Sequence, residues 1–157
     1  MKELSKQDSI KYVRTILKQN VTNVKKKLQP GRIIMFKYDA KDKTVVYDKT
    51  PLVFVLKASK RRMLGLNFHW LPFNKRIEFV RYIMKTNKRN IKNNVPLVFN
   101  YNSARAFLKK GKYYPVIRMY IRTRIGSKGV LIPDDNFLHI SRTKTGTFST
   151  PSTPKKQ

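Results

Sequence analysis

A chain of 157 residues with 40% hydrophobic content can bury one core, so its composition excludes a disordered protein and makes a single domain the default. Against 8 Asp and Glu stand 36 Lys and Arg, a formal net charge of +28, and self-repulsion on that scale calls for a polyanionic partner, nucleic acid first. The absence of cysteine excludes disulfides and thiolate metal sites; no apolar run is long enough to span a bilayer, and MKELSKQDSIKYV lacks the apolar stretch of a secretory signal.

Ser5 and Asp8 can cap a helix reciprocally, and Ile10, Val13, Leu17, Val21, Val24 and Leu28 follow at three- and four-residue steps. The spacing predicts an amphipathic helix over about 8–28, ending at Pro30-Gly31. Its other face carries Lys11, Arg14, Lys18 and Lys25, suited equally to solvent and to phosphate.

From Gly31 the period becomes extended. RIIMFKY, TVVY, PLVFVLK and MLGLNFHW are rich in β-branched and aromatic residues and are separated by turn signals at 39–43, 48–51 and 58–62. They predict a meander that, curled and covered by the first helix, is a small open β-barrel or a half-sandwich. Gly65 suits a close backbone approach or a bulge. Charge gathers in the connections, at Lys41, Lys43, Lys49, Lys57, Lys60, Arg61 and Arg62. Any single lysine there is explained as well by protection of a strand edge.

Pro72 suits a first helical turn, and Phe73, Ile77, Val80 and Met84 mark a second helix with Lys75, Arg81 and Lys85 opposite. Lys88, Arg89 and Lys92 follow in a polar linker. VPLVF at 95–99 reads as a strand, and Ser103 as the cap of a short helix stopping at Gly111. YYPVIRMYIRTRIGSKG, with proline near its start and glycine at its end, predicts a helix that sets Arg118 and Arg122 one turn apart and continues its basic face through Arg124 and Lys128. Tyr113, Tyr114 and Tyr120 add rings that suit packing or exposed bases. VLIPDDNFLHI reads as a last strand, a turn and a short return. Residues 142–157, rich in Thr, Ser, Pro and Lys, are expected to be a basic flexible tail.

The fold class expected is therefore α+β: a small antiparallel sheet or open β-barrel preceded by a helix and followed by helices on one side. Residues 1–141 form one domain, β-rich over about 31–71, helical over about 72–128 and closed by strands over about 129–141.

Catalytic groupings are sparse. Hard cations need several converging carboxylates, and the one adjacent pair, Asp134-Asp135, lies in a turn that Asx side chains explain. With His139 that pair defines a metal-dependent nuclease, the least favoured reading. His69 and His139 have no HExxH, HxH or cysteine companion, and no phosphate-binding glycine loop is present. His69 is read as structural, its ring beside Phe68 or Trp70 and a ring nitrogen bonded to backbone. Neither enzyme activity, metal nor cofactor is expected.

The succession PGRIIMFKYDAK, YDKTPLVFVL and GLNFHWLP, continued by YYPVIRMYIRTRI and VLIPDD, resembles small virion proteins of contractile-tailed bacteriophages, some described as DNA end protectors. The likeness spans about residues 30–135 and departs from the pattern in its extra basic content and in Arg61-Arg62. It implies a non-enzymatic protein of the virion, present in the host cytoplasm during assembly, that meets the end of packaged DNA near the portal or head–tail junction. Its partners would be double-stranded DNA and other virion proteins, and an exposed strand edge leaves oligomerisation open. The candidate phosphate ligands are Arg61, Arg62, Lys75, Arg81, Lys88, Arg89, Arg118, Arg122, Arg124 and Lys128. The alternative is a neck, tail or baseplate protein whose charge meets acidic proteins, with rRNA binding a further option on charge alone.

Overall fold

The computed structural model describes residues 6–41, 48–93, 95, 97–99, 101–108 and 116–133. In chain order these form helix α1 (Lys6–Gln19), strand β1 (Val21–Asn23), a 3₁₀ turn (Val24–Lys27), strands β2 (Ile33–Tyr38), β3 (Leu52–Ala58) and β4 (Arg62–Asn67), and a second 3₁₀ turn (Phe68–Trp70). Helices α2 (Phe73–Thr86), α3 (Lys88–Lys92) and α4 (Tyr101–Phe107) follow, then β5 (Ile117–Ile121), a 3₁₀ turn (Arg122–Arg124) and β6 (Ile125–Ile132). The fold is α+β: one antiparallel sheet in the order β1-β6-β2-β3-β4-β5, with helices beside it.

Chain length makes this sheet curl. β5 and β6 stand four places apart in the sheet order, roughly 19 Å across flat strands at about 4.8 Å each. The four Cα steps from Ile121 to Ile125 reach at most about 14 Å fully extended, and a 3₁₀ turn fills them. The β5 side must therefore swing round toward β2 and β6. Three contacts record the approach: the Ile121 amide donates to Tyr38 Oη at 3.2 Å, and the Tyr120 ring meets Tyr38 at 4.9 Å and Phe36 at 5.4 Å, both edge-on. The sheet remains open, with β1 and β5 as its edges.

Curling gives the sheet two buried faces, and side-chain alternation along each strand sorts residues between them. Inside the curl lie Ile34, Phe36, Val53, Val55, Met63, Tyr120 and Ile125, plugged by Val24 and Leu28. On the outer face Ile33, Leu52, Phe54, Leu66 and Ile132 pack beneath Ile16 of α1, Phe79, Val80 and Ile83 of α2, and Ala104 of α4. Phe79 ties this layer together, with edge contacts to Phe54, Phe68, Phe99 and Phe107.

Several elements differ from those the sequence predicts. α1 ends at Gln19, where the Asn20 amide and side chain both donate to the Ile16 carbonyl. β-branched Val21 and Thr22 then pair with β6, and Val24 and Leu28 fill the curl rather than extend a helical stripe. The buried stripe of α2 runs through Arg76, Phe79, Val80, Ile83 and the following Asn87, rotated from the predicted one. Residues 95 and 97–99 do not pair in the sheet; Asn87 instead brackets Val98, accepting from its amide at 2.8 Å and donating to its carbonyl at 3.3 Å. Ser103 lies within α4 rather than at its cap.

The largest difference falls on 117–128, which forms β5, a 3₁₀ turn and the first half of β6 in place of a helix, while Val130–Ile132 is a strand as expected. Ile117, Met119 and Ile121 alternate with Arg118 and Tyr120, a period of two that the sheet satisfies by pairing β5 with β4 and β6 with β2. The TVVY segment, the Ser5 cap, Tyr113, Tyr114, the 134–141 turn and return, and the 142–157 tail lie outside the described residues.

Candidate nucleic-acid interface

Three turns converge where the curl brings β5 to β6. The connection after β3 carries Lys60 and Arg61 and leads into Arg62; the 3₁₀ turn after β5 carries Arg122 and Arg124; the turn after β1 is Lys25-Lys26-Lys27. Arg122 holds all three together. Its amide donates to the Arg61 carbonyl at 2.9 Å, and its guanidinium donates to the Ser59 carbonyl at 2.6 Å and the Lys25 carbonyl at 3.2 Å. A planar fork of donors suits this bridging, which an ammonium would not reproduce. The result is a rim along which cations from three parts of the chain stand together.

Local sequence sets each turn. The Ser59 hydroxyl donates to the Arg62 carbonyl and accepts from its amide, both at 3.2 Å, closing the β3–β4 connection. The Asn23 side chain accepts from the Lys25 amide and starts the lysine turn. Arg124 meets Asp39 at 3.3 Å, an exposed pair that leaves it only weakly held. Arg61 and Arg62 are exposed.

The ten cations singled out from sequence do not form one surface. Arg61, Arg62, Arg122 and Arg124 share the rim, and Lys128 lies on β6 opposite Asn23, next to the lysine turn. Lys75, Arg81, Lys88 and Arg89 belong instead to α2 and α3 in the helical layer. Lys75 is paired there with Glu78 at 3.0 Å. Arg118 is committed to packing, its guanidinium 4.4 Å from the centre of the Trp70 ring. Arg118 and Arg122 stand on a strand and in the turn after it, not on one helix face.

Lys25, Lys26 and Lys27 are the rim residues that sequence reasoning undervalued. The KKK run was visible, but the expected helix through 8–28 buries it in the body of one long element, whereas it forms a separate turn after β1 whose Lys25 carbonyl is held at the rim by Arg122.

His69 is not at this interface. It is buried, and its Nδ1 lies 2.5 Å from Asp48 Oδ2, so the ring bonds a carboxylate rather than backbone. The same carboxylate accepts from the Asn67 side-chain Nδ2 at 3.2 Å and from the Thr50 backbone N–H at 3.0 Å. Arg76, also buried, donates to the carbonyls of Leu71 and His69; burial pulls its pKa down, and the nearby Asp48 charge opposes that shift. The cluster fastens the segment after β4 to α2. Among the described residues, no three His, Cys, Asp or Glu gather as a metal site, and no helix is long and apolar enough to cross a membrane. Asp134, Asp135 and His139 lie outside the described residues.

Comparison with known proteins gives one family model, described as the phage T4 terminal DNA protecting protein, which matches residues 2–150. No curated protein and no solved structure matches the chain.

Proposed function

The chain belongs to the phage T4 terminal DNA protecting protein family, and from that premise we propose that it is a virion protein that shields genome ends by holding double-stranded DNA through its phosphates, near the portal or head–tail junction. Protection of this kind needs occupancy rather than catalysis, so the protein acts without cofactor or metal. The observation that carries the reading is the rim itself: Lys25, Lys26, Lys27, Arg61, Arg62, Arg122 and Arg124 brought together by Arg122 on a chain of net charge +28. Lys75, Arg81, Lys88 and Arg89 on the helices add further phosphate contacts, and Lys128 extends the rim.

Clustered cations of this kind neutralise phosphates without reading bases, releasing counterions as they bind. Affinity for a linear duplex should therefore fall steeply with salt, roughly a thousandfold or more between 50 and 200 mM if six to ten phosphates are contacted. A binding titration across a salt series tests this. A flat dependence would remove the phosphate mechanism and favour an acidic virion protein as the partner of the same surface.

A further inference from the structure

Phosphates look alike along a duplex, so a cationic rim cannot by itself tell an end from the interior. An end differs by exposing the flat apolar face of its last base pair, bordered by the phosphates of two strands. A surface that recognises ends needs an apolar platform beside cations.

Such a platform adjoins the rim. On the outer face of the sheet Leu66 and Ile117 pair and join the core layer beneath the helices. Two residues nearer the rim on that face, Leu64 pairs with Met119, and Arg62 with Ile121. The register shift in β3 sets Lys57 opposite Leu64, so Lys57, Leu64 and Met119 form a row across three strands. With Ser59 and Arg62 they line a groove. Met119 is 54% exposed, unusual for a large apolar side chain, and the Arg62 guanidinium rests 3.7 Å from its sulfur. The floor is apolar, its borders are Lys57 and Arg62, and Arg61 stands beside it.

We propose that this groove seats the terminal base pair of a DNA duplex. Leu64 and Met119 meet the exposed base face, as apolar side chains do when they press against base steps, and the Met119 thioether makes favourable sulfur–ring contact. Lys57 and Arg62 take the phosphates at the end of the strands. A general protein ligand would match the floor but not the cationic border. A duplex interior would match the border but not the floor. The inference deepens the DNA-end function proposed above and rests on it.

The test compares a short blunt duplex with a dumbbell of the same sequence whose ends are closed by hairpin loops, using the full chain and two variants of the exposed Met119. Wild type should prefer the blunt duplex. Met119→Thr, which keeps a β-favouring residue on the strand, should reduce that preference roughly three- to tenfold while leaving dumbbell binding unchanged. Met119→Trp, offering a larger stacking surface, should raise it. If both variants keep the wild-type preference, the groove is not the seat of the end. Equal binding of blunt duplex and dumbbell by wild type would overturn end recognition here while leaving phosphate binding by the rim intact; binding to neither would overturn both.

Discussion

His69 Nδ1 and Asp48 Oδ2 lie 2.5 Å apart with both side chains out of solvent, joining the segment before β3 to the turn after β4. A buried carboxylate is costly unless charge and hydrogen bonds compensate it. Here Thr50, Asn67 and His69 all bond it, with Arg76 nearby.

His69→Gln should therefore destabilise the fold by about 3 kcal/mol, the lower end for a broken buried pair, because Asp48 keeps two donors and the field of Arg76. DNA affinity of the folded protein should be unchanged, since His69 is remote from the rim in its contacts. Urea unfolding with parallel DNA titrations measures both. Lost affinity at full stability would make His69 a functional residue.

Tyr120 offers a pH-dependent counterpart. Burial drives its phenol pKa well above the ordinary 10.0, since an ionised ring inside the curl would lose its solvation. The folded state thus retains the proton where the unfolded chain releases it. Stability from this group is complete below pH 10 and declines as pH rises above it, by about 1.4 kcal/mol per pH unit. Tyr120→Phe, which preserves the ring against Phe36 and Tyr38, should flatten the alkaline decline by that one-proton slope. Unfolding curves of both proteins between pH 9 and 11 give the comparison; identical slopes would show that Tyr120 ionises freely.

The legible parts of the fold are those whose pattern fits one period. β2 and β3 alternate or run apolar between turn signals, and α2 starts after Pro72, as predicted. Residues 113–128 fit two periods, since arginines four apart and a Pro–Gly bracket suit a helix while Ile117, Met119 and Ile121 suit a strand. The choice is made by β4 and β2, neighbours that no local window contains. The rim was legible only as charge. Arg122 reaches Lys25 across 97 positions and Ser59 across 63, contacts that exist because a three-residue turn makes the sheet curl.

Gly31 gives a sharper test of the packing between β2 and the helical layer. Its φ is +86°, and an added Cβ would collide with the Leu97 backbone. Left-handed geometry alone costs an L-residue about 1–2 kcal/mol, and backbone cannot yield as a side-chain tip does. Gly31→Ala should lose about 3 kcal/mol of stability by denaturant unfolding. A loss under about 1 kcal/mol would mean that Leu97 is free to move away.

Arg122 and Arg61 separate building the rim from using it. Arg122→Lys keeps the charge but not the fork that reaches Ser59 and Lys25, so it should lose about 1–2 kcal/mol of stability. Its DNA affinity should fall although the net charge is unchanged, because the lysine turn is no longer held against the β3–β4 connection. Arg61→Gln removes an exposed cation, so its stability should stay within about 0.5 kcal/mol of wild type. Its DNA affinity should fall on every duplex sequence, with the salt slope reduced by about one. Thermal unfolding and salt-series titrations of the two variants decide the matter. If Arg122→Lys binds as wild type while unfolding more easily, the rim does not need its staple, and phosphate binding depends on the number of charges rather than on their arrangement.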